Sequence, residues 1–355
     1  MSAEPQPTLS RARAATRRIA LKKRVTLKDV ATAAGVSTMT ASRGLRGASD
    51  VSEANIQKVR QAAREIGYVG NHLAASLTKP RSNLIGVVIP NLTNVVFAHV
   101  MSGITQALEG KGFQPVFGVT DYDPEKEHEV VKNILSWRPA GMIVTGTNFP
   151  DHTRLILKQA EIPLVQIMDT DGEFIDSAVG FSHEKASYDM TRTLIAKGRK
   201  SFGFIGCNLE RDFRAAKRHA GFLRALAEAG LPLKCEFLDN EVSSVSIGRT
   251  LAAQALETAP DLDCIYFSND DIAAGALCHC IDANIAVPDR LALVGFNGMD
   301  IARSFPGKIA TSITDRVAIG STAASLLLER ITAPAPLPSQ CIVFEPIVDL
   351  GALEG

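Results

Sequence analysis

From residue 84 onward, short apolar runs alternate with helix-length stretches, and this rhythm constrains the fold more than any other feature. The runs "LIGVVI" at 84, "FQPVFGV" at 113, "GMIVTG" at 141 and "PLVQIM" at 163 recur every twenty to thirty residues. The rhythm restarts with "SFGFIG" at 201, "DCIYFS" at 263 and "LALVGF" at 291. Apolar runs of this length, separated by helices, are the signature of βαβ units, whose strands are parallel and buried on both faces. Two such series predict an α/β body of two similar lobes, each built on a parallel sheet, with a cleft between them.

Ligands of open α/β sheets sit beyond the carboxyl ends of the strands. The residues just after each run are Asn91 and Asn94, Asp121, Thr145 and Thr147, Asp169, Asn269 and Asp270, and Asn297. Each of these residue types also serves turns and helix caps. Their recurrence at strand ends is what suggests a pocket for a polyhydroxylated molecule.

The first eighty residues read differently. Residues 1–83 carry fifteen Lys/Arg against five Asp/Glu, whereas residues 84–355 carry twenty-three against thirty-three. A basic module joined to an acidic body favours contact between that module and a polyanion. Residues 1–24 mix Pro, Ser and Ala with seven basic residues, which predicts a solvated arm. Three short helices follow. Leu27, Val30, Ala31 and Ala34 form the stripe of a helix with one buried face. Thr26 and Asp29 fit a capping box, and Gly35 permits the left-handed turn that ends the helix. Ser37 is an N-cap for a second helix reaching about Leu45. A third, capped by Ser52, buries Ile56, Val59, Ala63 and Ile66 and ends at Gly67. On the second helix Val36, Ala41 and Leu45 can turn inward, leaving Thr38, Met39, Ser42 and Arg43 outside. Such a helix suits the major groove of DNA; a plain three-helix bundle is the alternative.

"VTLKDVATAAGVSTMTASRGLRG", followed by "VSEANIQKVRQAAREIGYVGNHLAASL", resembles the helix-turn-helix and hinge of the LacI/GalR family of bacterial transcription regulators. The resemblance runs over about residues 25–350. It implies a basic arm (1–24), a helix-turn-helix domain (25–69), a hinge helix and linker (70–83) and a bilobal, periplasmic-binding-protein-like type I effector domain (84–350). Its first lobe would comprise about 84–182 and 315–341, its second about 183–314 and 342–350.

By position, the resemblance makes Thr38, Met39 and Arg43 base-reading residues, with Ser37, Thr40 and Ser42 on phosphates. Met39 offers an apolar contact such as a thymine methyl accepts. Arg43 forked onto a guanine would add about 1–3 kcal/mol of discrimination. Ala41 and Gly44 stand where the family has larger aliphatic residues, and Gly44 costs the helix about 1 kcal/mol relative to Ala. In the hinge, Asn71, His72, Ala74 and Leu77 fall on minor-groove positions, Leu77 as the wedge. Gly70 and His72 replace the usual proline and arginine. A hinge of this kind folds when two copies meet on DNA, which implies a homodimer and a pseudo-palindromic operator.

In the body, the resemblance places Phe97, Asp169, Arg218, Asn269 and Asn297 in the effector cleft. Thr145 joins them from the strand ends. Arg316 is a second carboxylate partner, with a surface arginine as its alternative. Asn297 stands for a common aspartate, which eases acceptance of an anion. "IPNLTNVVFAHVMSGI", "LSWRPAGMIVTG" and "SAVGFSHEKAS" most resemble the gluconate-operon repressor branch. The expectation is therefore a repressor of sugar or sugar-acid catabolism genes that responds to a sugar-like ligand, gluconate above all.

A solute-binding protein with the same body is the alternative. It needs export, and the amino terminus has no apolar h-region, so the chain is expected to be cytoplasmic. No apolar run reaches the roughly eighteen residues of a membrane span. No GxSxG, P-loop or HExxH motif argues for an enzyme. The six cysteines (207, 235, 264, 278, 280 and 341) include no CxxC pair. Cys278 and Cys280, two apart on a helix, point to different sides, so neither a metal nor any other cofactor is expected.

Overall fold

The computed structural model describes residues 25–69, 82–305 and 309–354. The basic arm and the hinge positions Asn71, His72, Ala74 and Leu77 lie outside the described residues. The chain divides into two compact units, one ending at Lys79 and one beginning at Pro80.

The small unit holds α1 (Leu27–Ala34), α2 (Thr38–Leu45) and α3 (Glu53–Glu65). Its start follows the local code: Thr26 and Asp29 form the capping box, and Gly35 ends α1 at φ 65°. Val36 N–H then bonds back to Ala31 C=O at 3.0 Å. Ser37 caps α2 by accepting the Thr40 N–H at 3.0 Å. Val30, Ala31, Ala41, Val59 and Ala63 close a small core, with Val36 and Leu45 half-buried against it. Ser52 sits at the N-cap of α3, without a side-chain capping bond. Gly44 lies against Val59: a Cβ there would meet the valine methyls at 3.5 Å, an ordinary contact.

The large unit carries two six-stranded sheets. The first is built from β1 (Leu84–Ile89), β2 (Gln114–Val119), β3 (Gly141–Thr145), β4 (Leu164–Ile167), β5 (Ser177–Gly180) and β11 (Cys341–Val343). Its order is β11-β5-β4-β3-β1-β2, and all its pairings are parallel. The second contains β6 (Phe202–Cys207), β7 (Leu233–Asp239), β8 (Cys264–Phe267), β9 (Ala292–Val294), β10 (Ile309–Ile313) and β12 (Ile347–Asp349). Its order is β12-β10-β9-β8-β6-β7, and β12 runs antiparallel to β10. The second sheet is therefore mixed rather than purely parallel, because the chain returns to its edge after crossing from β11.

Helices cover the sheets: α4 (Val95–Leu108), α5 (Pro124–Ser136) and α6 (Asp151–Gln159) follow strands of the first lobe. The second lobe has α7 (His183–Ala196), α8 (Phe213–Glu228), α9 (Val245–Thr258), α10 (Asp270–Asp282) and the short α11 (Asp300–Arg303). The long α12 (Arg316–Thr332) returns to the first lobe. Its backbone crosses α4 in direct contact: a Cβ on Gly103 would collide with Val317 C=O, and one on Gly320 with Val100 C=O. Each sheet has a buried apolar core on either face, as βαβ layering requires.

The chain changes lobe after β5, where Ser182 caps α7, and after β10, where Asp315 caps α12. A third passage links β11 to β12. Because β11 pairs with β5 as far as Val343, that passage falls at residues 344–346, slightly beyond the boundary expected at 341/342.

Candidate functional site

On the small unit, the inward set Ala41 and Gly44 leaves Thr38, Met39 and Arg43 exposed on one side of α2, with Ser42 half-buried. Met39 is 70% exposed, which is unusual for so apolar a side chain on a short helix. Arg43 pairs with Asp50. The Ser37 and Thr40 hydroxyls bond each other at 2.8 Å. Arg46 Nε donates to the Ser42 carbonyl at 3.2 Å.

In the large unit, strand order reverses between β1 and β3 in the first sheet, and between β6 and β8 in the second. Such switch points open crevices at the carboxyl ends of strands. A cavity of about 460 Å³ opens at the first, bounded by Ile89, Thr145, Gly146 and Thr147. A smaller one, about 70 Å³, opens at the second, bounded by Cys207, Asn208, Ser243 and Asn269. Tyr122 belongs to both walls. Left-handed backbone marks this end of the strands: Asp121 (φ 53°), Tyr122 (58°), Met168 (67°), Asn208 (54°) and Asn297 (107°) all lie just past a strand. Such conformations cost energy outside glycine and concentrate where a loop must present a side chain.

Three of the expected effector residues line these cavities. Thr145 and Asp169 belong to the larger, Asn269 to the smaller. The Thr145 hydroxyl donates to Val88 C=O at 3.0 Å. Asn269 caps α10 by accepting the Ile272 N–H at 3.2 Å, and its amide donates to Ser243 Oγ at 2.7 Å. Asp169, 1% exposed, accepts from Lys217 Nζ at 2.5 Å and Thr147 Oγ1 at 3.2 Å. Burial raises its pKa, while Lys217 pulls it back.

The other four line neither cavity. Phe97 is a core residue of α4, and the Arg214 guanidinium lies 5.3 Å over its ring. Arg218, 4% exposed, donates to His183 Nδ1 at 3.0 Å and lies 4.7 Å over the Phe296 ring. His183 bonds Met168 C=O through Nε2 at 2.7 Å, and burial, with the Arg218 charge, holds its pKa well below the ordinary value. The imidazole is thus a neutral spacer, Nε2–H donating and Nδ1 accepting. Asn297 is buried, its backbone carbonyl accepting from Arg316 Nη1. Arg316 is not a surface arginine: it is 8% exposed, and its Nε donates to His99 Nδ1 at 3.2 Å. Through Nε and Nη1 it struts α12 against the second lobe.

The cations of the larger cavity are others: Arg154, Arg211 and Arg214. Arg154 Nη2 donates to Thr147 C=O at 2.7 Å, and Asp151 and Asp169 line the same wall. Arg214 reaches Asp212 at 3.2 Å and lies 5.8 Å over Tyr122. Glu127 faces the same space, and burial, opposed by the Arg214 charge, pushes its pKa up to about 7. The sequence held a signal for Arg214. In "ERDFRAAKRH" several cations open a helix, where the dipole disfavours positive charge.

Among the described residues no three His, Cys, Asp or Glu side chains gather as a metal site would, and no helix is long and apolar enough to cross a membrane.

Two α/β lobes with polar cavities at their switch points, preceded by a helix-turn-helix unit, define a ligand-responsive DNA-binding regulator. Residues 26–71 match the family model described as bacterial regulatory proteins, lacI family. Residues 82–344 match that of the periplasmic binding proteins and sugar binding domain of the LacI family. The chain is 37% identical over 317 residues to the HTH-type transcriptional regulator GntR of Escherichia coli K12, covering 89% of this chain and 95% of that protein. It is 34% identical over 310 residues to the regulator IdnR of the same organism, covering 87% and 92%. A solved LacI-family regulator from Silicibacter pomeroyi superposes with a TM-score of 0.89 at 41% identity, covering 92% of this chain and 98% of that one. The chain belongs to the LacI family of DNA-binding transcriptional regulators. The match across both modules sets aside the reading as a solute-binding protein without a DNA module.

Proposed function

We propose that the protein is a homodimeric repressor of sugar-acid catabolism genes whose operator affinity is lowered by gluconate. The observation that carries the ligand assignment is the entry of Arg154, Arg211 and Arg214 into a cavity they share with Asp123, Glu127, Asp151 and Asp169, beside a smaller one where the Asn91, Asn94, Asn208 and Asn269 amides meet Asp212 and Asp271. A carboxylate suits the first, through charge-assisted hydrogen bonds to guanidinium, and a chain of hydroxyls suits the second. The resemblance to the gluconate-operon repressors and the similarity to GntR and IdnR point the same way. The protein acts by binding, not by catalysis, and works in the cytoplasm.

On DNA, Thr38, Met39 and Arg43 read base edges, while Ser37, Thr40 and Ser42 fix register on phosphates. Asn71, His72, Ala74 and Leu77 enter the minor groove at the centre of a pseudo-palindrome, Leu77 as the wedge. Ligand draws the lobes together about the passages near Ser182 and Asp315, the hinges of the two subunits lose their pairing, and DNA is released. The ligand shifts this equilibrium only by its preference for the closed state.

Footprinting of the purified protein on DNA upstream of its own gene and its neighbours, with and without gluconate, tests this reading. Protection of a palindrome that disappears with gluconate is the expected result. Protection indifferent to gluconate and other sugar acids would overturn the effector assignment and leave the regulator standing.

A further inference from the structure

Asp169 presents a difficulty for any anionic ligand. It stands in the wall of the larger cavity, and an ionised carboxylate there repels another carboxylate. Its surroundings answer the difficulty. Lys217, carried by α8 of the second lobe, places Nζ at 2.5 Å from Asp169 Oδ2, 2.6 Å from Asp171 C=O and 3.1 Å from Thr147 Oγ1. These acceptors belong to the first lobe, and they occupy the three donors an ammonium has. Asp169 Oδ1 meanwhile accepts the Asp171 N–H at 2.9 Å. Lys217 is therefore spent on Asp169 rather than offered to a ligand. It is absent from the cavity wall that Asp169 lines.

We propose that Lys217 is a specificity-setting positioning residue: by neutralising Asp169 from behind the wall, it makes the cavity a receptor for carboxylates rather than for neutral polyols. The inference rests on the sugar-acid reading above and assigns the charge balance of that same site. With Asp169 cancelled by Lys217, the wall sets Arg154, Arg211 and Arg214 against Asp123, Glu127 and Asp151, so that one further uncompensated carboxylate would turn the balance against an anion. Without Lys217, Asp169 becomes an acceptor for hydroxyls and a repellent for anions, and the preference moves towards uncharged sugars. Lys217 touches no ligand in this scheme and acts through Asp169 alone.

The test compares gluconate with sorbitol, its uncharged counterpart of equal carbon count, by calorimetry at pH 8.5, on the alkaline side where the Asp169 carboxylate is favoured. Full-length wild type, Lys217→Met, Asp169→Asn and the double variant are used, each with its melting temperature recorded. Methionine keeps the apolar stem and removes the charge. Wild type should prefer gluconate. K217M should lose about tenfold or more in gluconate affinity while sorbitol affinity holds or rises. The double variant, with both charges gone, should regain gluconate to within about threefold of wild type, a rescue that damaged packing would not give. Unchanged gluconate binding by K217M would overturn the assignment of Lys217 alone. So would parallel loss of both ligands that the double variant fails to rescue. A wild type that binds neither ligand, or prefers sorbitol, would overturn the sugar-acid reading and this inference with it.

Discussion

The two lobes share a strand order and a switch point, yet the crevices there differ in volume, about 460 Å³ against about 70 Å³, and in chemistry. In the first lobe the residues after β3 are Gly146 and Thr147, small enough to leave a cavity of about 460 Å³ that arginines from both lobes enter. In the second, Asn269 and Ser243 bond across the opening and leave about 70 Å³ among amides, hydroxyls and the carboxylates of Asp212 and Asp271. Topology thus fixes where the crevices open, and the few side chains beyond each strand end decide what lines them. On the proposed reading one crevice answers charge and the other hydroxyls.

Removing the charge from the first crevice is the largest expected effect. Arg214→Ala should weaken gluconate binding about 100-fold, as loss of one partner in a buried charged contact does, with sorbitol little affected. Calorimetry at constant pH reads this directly, and equal losses for both ligands would erase the distinction between the crevices.

Glu127 sharpens the contrast through pH. Its folded pKa of about 7 lies above the ordinary carboxylate value, so the folded protein holds a proton that the unfolded chain has released. Stability from this group is therefore present at low pH and lost as pH rises from about 4.5 through about 7. Glu127→Gln should raise the melting temperature at pH 8 but not at pH 4, an effect of about 1–2 kcal/mol once partial exposure is allowed for. Deprotonation also adds negative charge beside Arg214, so gluconate affinity should fall severalfold between pH 6 and pH 8 in wild type and stay flat in the variant.

The second crevice should respond more mildly. Asn269→Ser keeps an N-cap for α10, so the melting temperature should hold, whereas the lost amide should cost about tenfold in affinity for gluconate and sorbitol alike. A loss confined to gluconate would show that charge is felt at both switch points.

How much of this was legible in the sequence follows from the range of the interactions. The helix-turn-helix could be read because its code is local: Thr26 with Asp29, Gly35 and Ser37 act within a few residues of themselves. The rhythm of β1, β2, β3, β4, β6, β8 and β9 could be read because their runs are mostly apolar, even at β2 on a sheet edge. β7 could not, since this edge strand alternates exposed and half-buried residues, and β12 depends on a partner far away in the chain. In the site, Arg214 and Arg218 lie one turn apart on the same helix. Only the packing of Phe97 and Phe296 decides that Arg214 reaches the cavity while Arg218 ends on His183.

The contact of α4 with α12 has a further consequence, for the order in which the molecule is assembled. Gly103 and Gly320 bring two backbones together across more than two hundred residues of chain, and β11 completes the same lobe later still. The first lobe to leave the ribosome is therefore not the first that can close. The second has β6 to β10 in one contiguous stretch and needs only β12 from beyond it. Loop-closure entropy favours the contiguous lobe as the earlier unit. Until α12 arrives, the face of α4 that it will cover stays open to solvent, and a nascent chain stalled before residue 316 would present that face to chaperones.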